Sequence, residues 1–414
     1  MRDPTVAAAD RPTGGPGAQR RRTGPPGGYC LAVTDDLPSL YRLGIVGSGQ
    51  IARMMHQSAV KLGITPRLFA ERFDDSAAQA APEAVFNHPD ALAGFAADCE
   101  VVTFEHERID IRLLQALEDK GALLRPGTKT LRAAFDKMYL HRVLKNRGFQ
   151  VTAAAEVRGP DDVLDFASGH RFPVVLKTVR AAPPGERGVW VVENRTEAMR
   201  VLAERSNLEL MAEAYQAIIK ELVVLVVRRP GGHARCYPIA EITNRDGAAW
   251  EIRTPAAIGH RLATEARQLA LDLANEFEAV GVLAVELFLT TEGLVVNELA
   301  ARPHNAGHGT IESCPTSQFE NHVRAVLDLP LGPTWPRVQA AVTLNVIGSI
   351  DGFDPARHLP EALAVEGASV HLYGKVPRAG RKLGHVTAVA DDMDQARELA
   401  RRAEAALRGR RPPA

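Results

Sequence analysis

GVLAVELFL at residues 281–289 and LVVNE at 294–298, separated by Thr290-Thr291-Glu292-Gly293, is the stretch whose reading decides the fold. Two apolar runs of strand length flank the turn Thr291-Glu292-Gly293, the pattern of a β-hairpin. With residue 290 opposite 294, the ladder sets Glu286 opposite Glu298. Directly opposed residues share one face, with Cβ atoms roughly 4.5–5.5 Å apart. Two carboxylates so close repel, so either both reach solvent or a cation stands between them. Mg²⁺ carrying nucleotide phosphates is commonly held by one or two carboxylates. The polar run that follows (Asn297, Arg302, His304, Asn305, His308) favours the metal reading, with Glu286 and Glu298 as ligands.

Working outward, the 262–279 stretch before the hairpin has helical spacing, and strands are expected at 173–178, 188–193, 208–213, 221–228 and 235–242. Together with a helix at 196–205 they form an α+β unit with an antiparallel sheet. A long helical run spans 129–148 and includes Asp136-Lys137. Upstream, short apolar strands at 43–46, 66–70 and 100–104 alternate with a helix over 51–62 that Gly63 ends. A further short strand is expected at 123–125. Such alternation argues for a parallel, Rossmann-like sheet. Pro330, Pro333 and Pro336 mark a boundary, after which strands near 338–347, 369–373 and 385–390 precede a helix at 393–407. The expected units are therefore a 1–37 tail, a Rossmann-like 38–128, a nucleotide-binding 129–335 and a small β-rich 336–414.

Fifty basic and fifty acidic residues among 414 leave no net field to attract nucleic acid or an anionic membrane. No apolar run approaches the roughly 20 residues of a membrane-spanning helix. Cys30, Cys99, Cys236 and Cys314 are scattered without disulfide or metal spacing, which fits a reducing, cytoplasmic setting. The first 37 residues are rich in Gly, Pro and Arg, lack periodicity and carry no apolar leader core, so a disordered tail is expected. Its Arg20–Arg22 cluster offers a contact for an acidic partner, but a solvated tail is the simpler expectation.

Four further groups carry chemistry. Lys177 ends a buried apolar strand, where an unpaired ammonium is costly and a nucleotide phosphate would satisfy it. Glu213 and Glu221 bracket a short connection suited to an adenine hinge and ribose hydroxyls; with Lys177 and the paired glutamates they outline a nucleotide cleft. Lys375, Arg378, Arg381, Lys382 and His385 form a basic segment fit for a phosphorylated substrate, or a solvated cationic loop. His304 and His308 lack a third ligand at zinc spacing, which favours hydrogen-bonding roles. Gly47-Ser48-Gly49, with Glu71 at the end of the next strand, keeps a dinucleotide-binding oxidoreductase open as an alternative, although Ala52 stands where the third glycine belongs.

Taken in order, Gly47-Ser48-Gly49-Gln50-Ile51-Ala52-Arg53-Met54-Met55, Val101-Val102-Thr103-Phe104-Glu105, the 173–178 strand, Asn297-Glu298-Leu299-Ala300-Ala301-Arg302-Pro303-His304-Asn305, Thr316-Ser317-Gln318-Phe319-Glu320 and Gly380-Arg381-Lys382-Leu383-Gly384-His385 resemble the 5-(carboxyamino)imidazole ribonucleotide synthase family. The resemblance covers roughly residues 40–392 and implies a Rossmann-like N-terminal domain, a central ATP-grasp domain and a small C-terminal β-rich domain. It implies a Mg²⁺- and ATP-dependent ligase of purine biosynthesis, acting on bicarbonate or another carboxylate and a phosphoribosyl amine. A homodimer is compatible with it. ATP would be held by Lys137, Lys177, Glu213, Glu221, Asn297 and Glu298, and Mg²⁺ by Glu286 and Glu298. Gln50, Glu105, His304, Asn305, Lys375, Arg381 and Lys382 would meet substrate, with Arg302, Lys375 and Arg381 catalytic. The glycine turn then serves the substrate side.

The sequence departs from the family pattern in places. Where the family carries Gly-Gly-Tyr-Asp-Gly, this chain has Ala181-Ala182-Pro183-Pro184-Gly185, and the Tyr-Asp pair expected at the acceptor falls on two prolines. Asn244 replaces a histidine, and Ala306-Gly307-His308-Gly309 replaces Ser-Gly-His-Trp. These changes leave two ligase readings open, the parental carboxylation and a paralogue of specialised metabolism with another acceptor. A partner protein without turnover remains a further alternative.

Overall fold

The computed structural model describes residues 41–410 apart from 71, 73, 74, 82–84, 87–90, 181–187, 246 and 247. The 1–37 tail, Glu71 and the 181–187 loop, on which expectations were placed, lie outside the described residues.

Strands β1 (Leu43–Val46), β2 (Arg67–Ala70), β3 (Val85–Phe86) and β4 (Val101–Phe104) form a parallel sheet in the order β3-β2-β1-β4. Alternation along β1 divides its side chains between two cores. Leu43 and Ile45 pack with helix α1 (Gln50–Lys61), while Val46 packs with α2 (Ala91–Ala97) and α3 (Ile111–Asp119). The strand expected at 123–125 is only a bridge between Val102 and Leu124; Pro126 has no N–H with which to extend it.

The helical run over 129–148 is two helices, α4 (Thr128–Phe135) and α5 (Lys137–Asn146). The break is Asp136, which is extended (φ −114°, ψ 102°) and accepts a hydrogen bond from Tyr139 N at 2.8 Å. An aspartate serves a helix better as N-cap than in mid-helix, and Lys137 becomes the first residue of α5.

A small antiparallel sheet follows, β5 (Ala154–Val157), β6 (Val174–Thr178), β7 (Val189–Val192) and β8 (Leu210–Ala214), in the order β5-β8-β6-β7. Helices α6 (Pro160–His170) and α7 (Arg195–Glu204) cover it through Val163, Ala198 and Val201. Neither β5 nor α6 was apparent in the sequence.

The largest sheet holds β9 (Lys220–Arg228), β10 (Ala234–Cys236), β11 (Ala240–Arg245), β12 (Ala248–Thr254), β13 (Gly281–Thr290), β14 (Gly293–Ala300), β15 (Ala340–Ile347), β16 (Ala368–Leu372) and β17 (Lys382–Ala390). Its order is β14-β13-β9-β11-β12-β15-β17-β16, with β10 on β9. The single strand expected at 235–242 is split around Pro238, which cannot donate to a ladder. The C-terminal strands do not form a separate sheet. They extend the central one because β12, unforeseen in the sequence, pairs with β15.

Leu283, Val285 and Leu287 of β13 face α8 (His260–Glu276). Val282 and Ala284 face the opposite side, where α9 (Thr310–Ser313) and α10 (Gln318–Val326) lie, and by alternation Glu286 shares that side. Helices α11 (Leu359–Leu363) and α12 (Met393–Leu407) back the C-terminal strands.

Candidate active site

Glu286 and Glu298 are directly paired across β13 and β14, as the hairpin reading requires, but by a different register. The turn closes one residue earlier, with Thr290 opposite Gly293 (φ +122°), so Glu286 would face Asn297 in an unbroken ladder. A bulge between Leu287↔Val296 and Glu286↔Glu298 leaves Asn297 as the extra residue and restores the pair. Neighbouring cations and donors relieve the repulsion. Lys137 Nζ lies 3.1 Å from Glu298 Oε2, and His304 Nε2 lies 3.2 Å from Glu286 Oε1. The bulged Asn297 donates through Nδ2 to Glu286 Oε2 at 3.3 Å.

Because Ala306 N donates to His304 Nδ1, a neutral His304 ring carries its proton on Nε2 and can donate to Glu286. Burial raises the Glu286 pKa, but His304, Lys137 and Asn297 outweigh it and hold the carboxyl below its usual range. Lys137 is similarly balanced. Burial opposes its charge, and Glu298, Glu286 and Glu213 carry its pKa upward. Lys137, at the start of α5, is thus a half-buried member of the constellation.

Lys177, 6% exposed at the end of β6, donates to Asn297 Oδ1 at 3.0 Å and pairs with Glu213 Oε2 at 2.5 Å. One chain of contacts therefore runs Glu213–Lys177–Asn297–Glu286. Glu221 on β9 accepts from Asn244 Nδ2 at 2.6 Å, so the asparagine that replaces the family's histidine touches this carboxylate. Burial raises the Glu221 pKa. The donor set suits a hard cation that takes its remaining ligands from phosphate and water. Among the described residues no group of three or more His, Cys, Asp or Glu is arranged as a metal cage.

At the other end, Arg302 Nε bonds Glu107 Oε2 at 3.1 Å, and the other oxygen of Glu107 accepts from Ala301 N at 3.2 Å. Burial disfavours the guanidinium charge, but Glu107, Glu105 and Glu298 together raise its pKa. Burial, then Arg302 and Lys375, pull the Lys382 ammonium down to about 8 despite Glu286. Lys375 Nζ bonds Gln50 Oε1 at the start of α1. Arg381 instead donates to Val376 O at 3.0 Å in an exposed position, and Asn305 Oδ1 has no partner among the described residues.

The glycine turn does not offer a free phosphate cradle. Both oxygens of Glu105 accept from it, from Gly49 N and from Ile51 N, the latter at 3.2 Å. A Cβ at Gly47 would stand 2.6 Å from Glu105 Cβ. The N-terminus of α1 is satisfied by the protein's own carboxylate, so the dinucleotide alternative loses its phosphate site.

Glu107 and Gln318 were not singled out in the sequence. Gln318 takes both backbone groups of His304, accepting from its N at 2.9 Å and donating to its O at 2.6 Å. The only available signal was indirect, the acidic run Glu105-His106-Glu107 and the polar run at 316–320.

Three successive stretches of the chain match known domains. Residues 40–135 match the ribonucleotide synthetase preATP-grasp domain, 142–319 the ATP-grasp domain, and 341–399 the phosphoribosylaminoimidazole carboxylase C-terminal domain. The N5-carboxyaminoimidazole ribonucleotide synthase of Mycobacterium tuberculosis is 41% identical over 387 residues, covering 91% of this chain and 88% of that protein. The crystal structure of the N5-carboxyaminoimidazole ribonucleotide synthetase from Thermus thermophilus has a TM-score of 0.80 at 34% identity, covering 90% of this chain and 100% of that one. That of the Aspergillus clavatus enzyme in complex with ADP and 5-aminoimidazole ribonucleotide has a TM-score of 0.81 at 27% identity, covering 89% and 98%. The chain belongs to the N5-carboxyaminoimidazole ribonucleotide synthase family, ATP-grasp ligases of purine biosynthesis that join carbon to nitrogen.

Proposed function

We propose that this chain carboxylates the amine of 5-aminoimidazole ribonucleotide with bicarbonate at the expense of ATP. The observation that carries the reading is the juxtaposition of Glu286, Glu298, Asn297 and Lys177 at one end with Arg302, Lys382, Lys375 and Gln50 at the other. Lys137, Lys177, Glu213, Glu221, Asn297 and Glu298 are the proposed ATP contacts. Glu286 and Glu298 would hold Mg²⁺, which when bound neutralises phosphate charge.

Arg302 and Lys382, two cations in a buried region, suit a small carboxylate, and His304 lies beside Glu286 where that anion meets the phosphoryl group. A bicarbonate oxygen attacks the γ-phosphorus, the bond to the β,γ-bridging oxygen breaks and ADP departs. The amine nitrogen then bonds to the carbonyl carbon, directly or after release of CO₂. The carbon–oxygen bond to phosphate breaks, and the amine loses one proton. Arg302 would stabilise charge on the transferred phosphoryl through its planar donors. Lys375, Arg381, Gln50 and Glu105 would seat the phosphoribosyl amine, with Asn305 beside them.

The same reading treats 38–128, 129–335 and 336–414 as acceptor-side, nucleotide and closing units, and it is compatible with a homodimer. Among the described residues no helix is long and apolar enough to cross a membrane, and the cytoplasm is the proposed location.

The test is phosphate release from Mg-ATP with 5-aminoimidazole ribonucleotide and bicarbonate, each omitted in turn. Release that depends on both supports the proposal. A second reading, another amine acceptor, is favoured by Pro183-Pro184 alone; nucleotide binding without stimulation by either compound would support it.

A further inference from the structure

Helix α10 buries polar side chains that no step above uses. Gln318, Asn321 and His322 are all 0% exposed. Gln318 holds the His304 backbone, and Asn321 joins Tyr237 OH at 2.7 Å and Gly332 N at 2.8 Å. His322 differs from both, because its two bonds reach two different sheets. Val282 N donates to Nδ1 at 3.0 Å, so Nδ1 carries the lone pair and Nε2 the proton. Nε2 then donates to Thr103 Oγ1 at 2.7 Å.

Those two partners lie close to the two ends of the site. Val282 is on β13, the strand of Glu286, and Thr103 is on β4, two residues before Glu105. The backbone is shaped to the ring, since a Cβ at Gly281 (φ +97°) would stand 2.7 Å from His322 Cε1. Burial lowers the ring's pKa to about 3, so it stays neutral and keeps this tautomer at any working pH. The Glu107–Arg302 pair provides a second tie between the end of β4 and the end of β14.

We infer that His322 is a positioning residue that couples β13 to β4, so that nucleotide bound at the glutamate hairpin orders the strand that leads into Glu105. The inference rests on the proposed function only for what each end binds. A valine in place of Thr103 keeps the shape of the side chain but leaves a buried imidazole N–H without an acceptor, whereas serine keeps the hydroxyl.

The primary test is hydrogen exchange of the β4 amides with and without Mg-ADP. Wild type and Thr103→Ser should gain protection with nucleotide, and Thr103→Val should not. This readout needs nucleotide alone, so it holds whichever acceptor the enzyme uses. In turnover with 5-aminoimidazole ribonucleotide, Thr103→Val should raise the KM of the acceptor about tenfold. The KM of ATP should stay within about twofold, and Thr103→Ser should restore both. Equal protection in Thr103→Val and wild type, or no nucleotide-dependent protection in wild type, overturns the inference. A parallel rise of both KM values overturns it as well. Wild type inactive toward this acceptor but showing the exchange pattern would sink the proposed function and leave the coupling standing.

Discussion

The hairpin of β13 and β14 and the glycine turn before α1 are both sharp sequence signals, yet the fold treats them oppositely. At the hairpin, Glu286 and Glu298 are brought together and their charge is answered by Lys137, His304 and Asn297 around them. At the turn, backbone donors that could have received a phosphate are already taken by Glu105. One motif gathers carboxylates that we propose hold a cation, and the other has its donors taken by Glu105, just past the end of β4. The difference lies in the neighbours, since two opposed carboxylates draw cations to them, whereas buried backbone donors that already hold a carboxylate are satisfied.

The strongest challenge to this contrast is removal of charge at the hairpin. Glu286→Gln and Glu298→Gln should each lower Mg-dependent ATP turnover roughly 10³-fold, with thermal unfolding close to that of wild type. Near-normal turnover in both would mean that the pair is structural.

Next in size is Lys382→Met. With the ammonium at about 8, kcat/KM for bicarbonate should be level below that pH and fall above it as the charge is lost. The variant should lose the alkaline fall and run about 10²-fold slower. Stability supplies an independent check. An unfolded lysine keeps its proton to about pH 10.4, so between about 8 and 10.4 the unfolded chain binds more protons and wild-type stability should rise with pH. Denaturant melts of Lys382→Met across that window should lack this rise.

Glu105→Gln examines the closed motif. It should raise the KM of the acceptor about tenfold while leaving that of ATP unchanged, and it should not create affinity for a dinucleotide. Dinucleotide binding by either form, followed by fluorescence, would undo the contrast. The smallest effect is expected from Asp136→Ala. Loss of this cap should cost about 1 kcal/mol in urea melts and loosen Lys137, seen as a modest rise in the KM of ATP.

Much of this site was legible because alternation and turn chemistry act locally. The 281–298 stretch specified two strands and a reversal, and the Glu286–Glu298 pair emerged correctly even though the assumed turn was one residue too long. A bulge at Asn297 compensated, and no pattern of apolar residues marks a bulge in advance. Lys177 was legible for the same local reason, as a charge ending an apolar strand. Asp136 was less so, because a one-residue cap does not disturb an apolar period read across 129–148. Glu107 and Gln318 are not legible in the sequence because the partner of one, Arg302, is distant in the chain and that of the other, His304, is met only through its backbone.

The sequence by itself determined many of the strands and helices, the like-charged hairpin and the family to which the chain belongs. These depend on side-chain periodicity, turn residues and motif order along the chain. Tertiary structure alone decided that the C-terminal strands would continue the central sheet through β12, that Glu105 would close the glycine turn, and that His322 would bridge β4 and β13. Each of these is a pairing between groups far apart in sequence, settled by which buried donor finds which acceptor when the sheets pack.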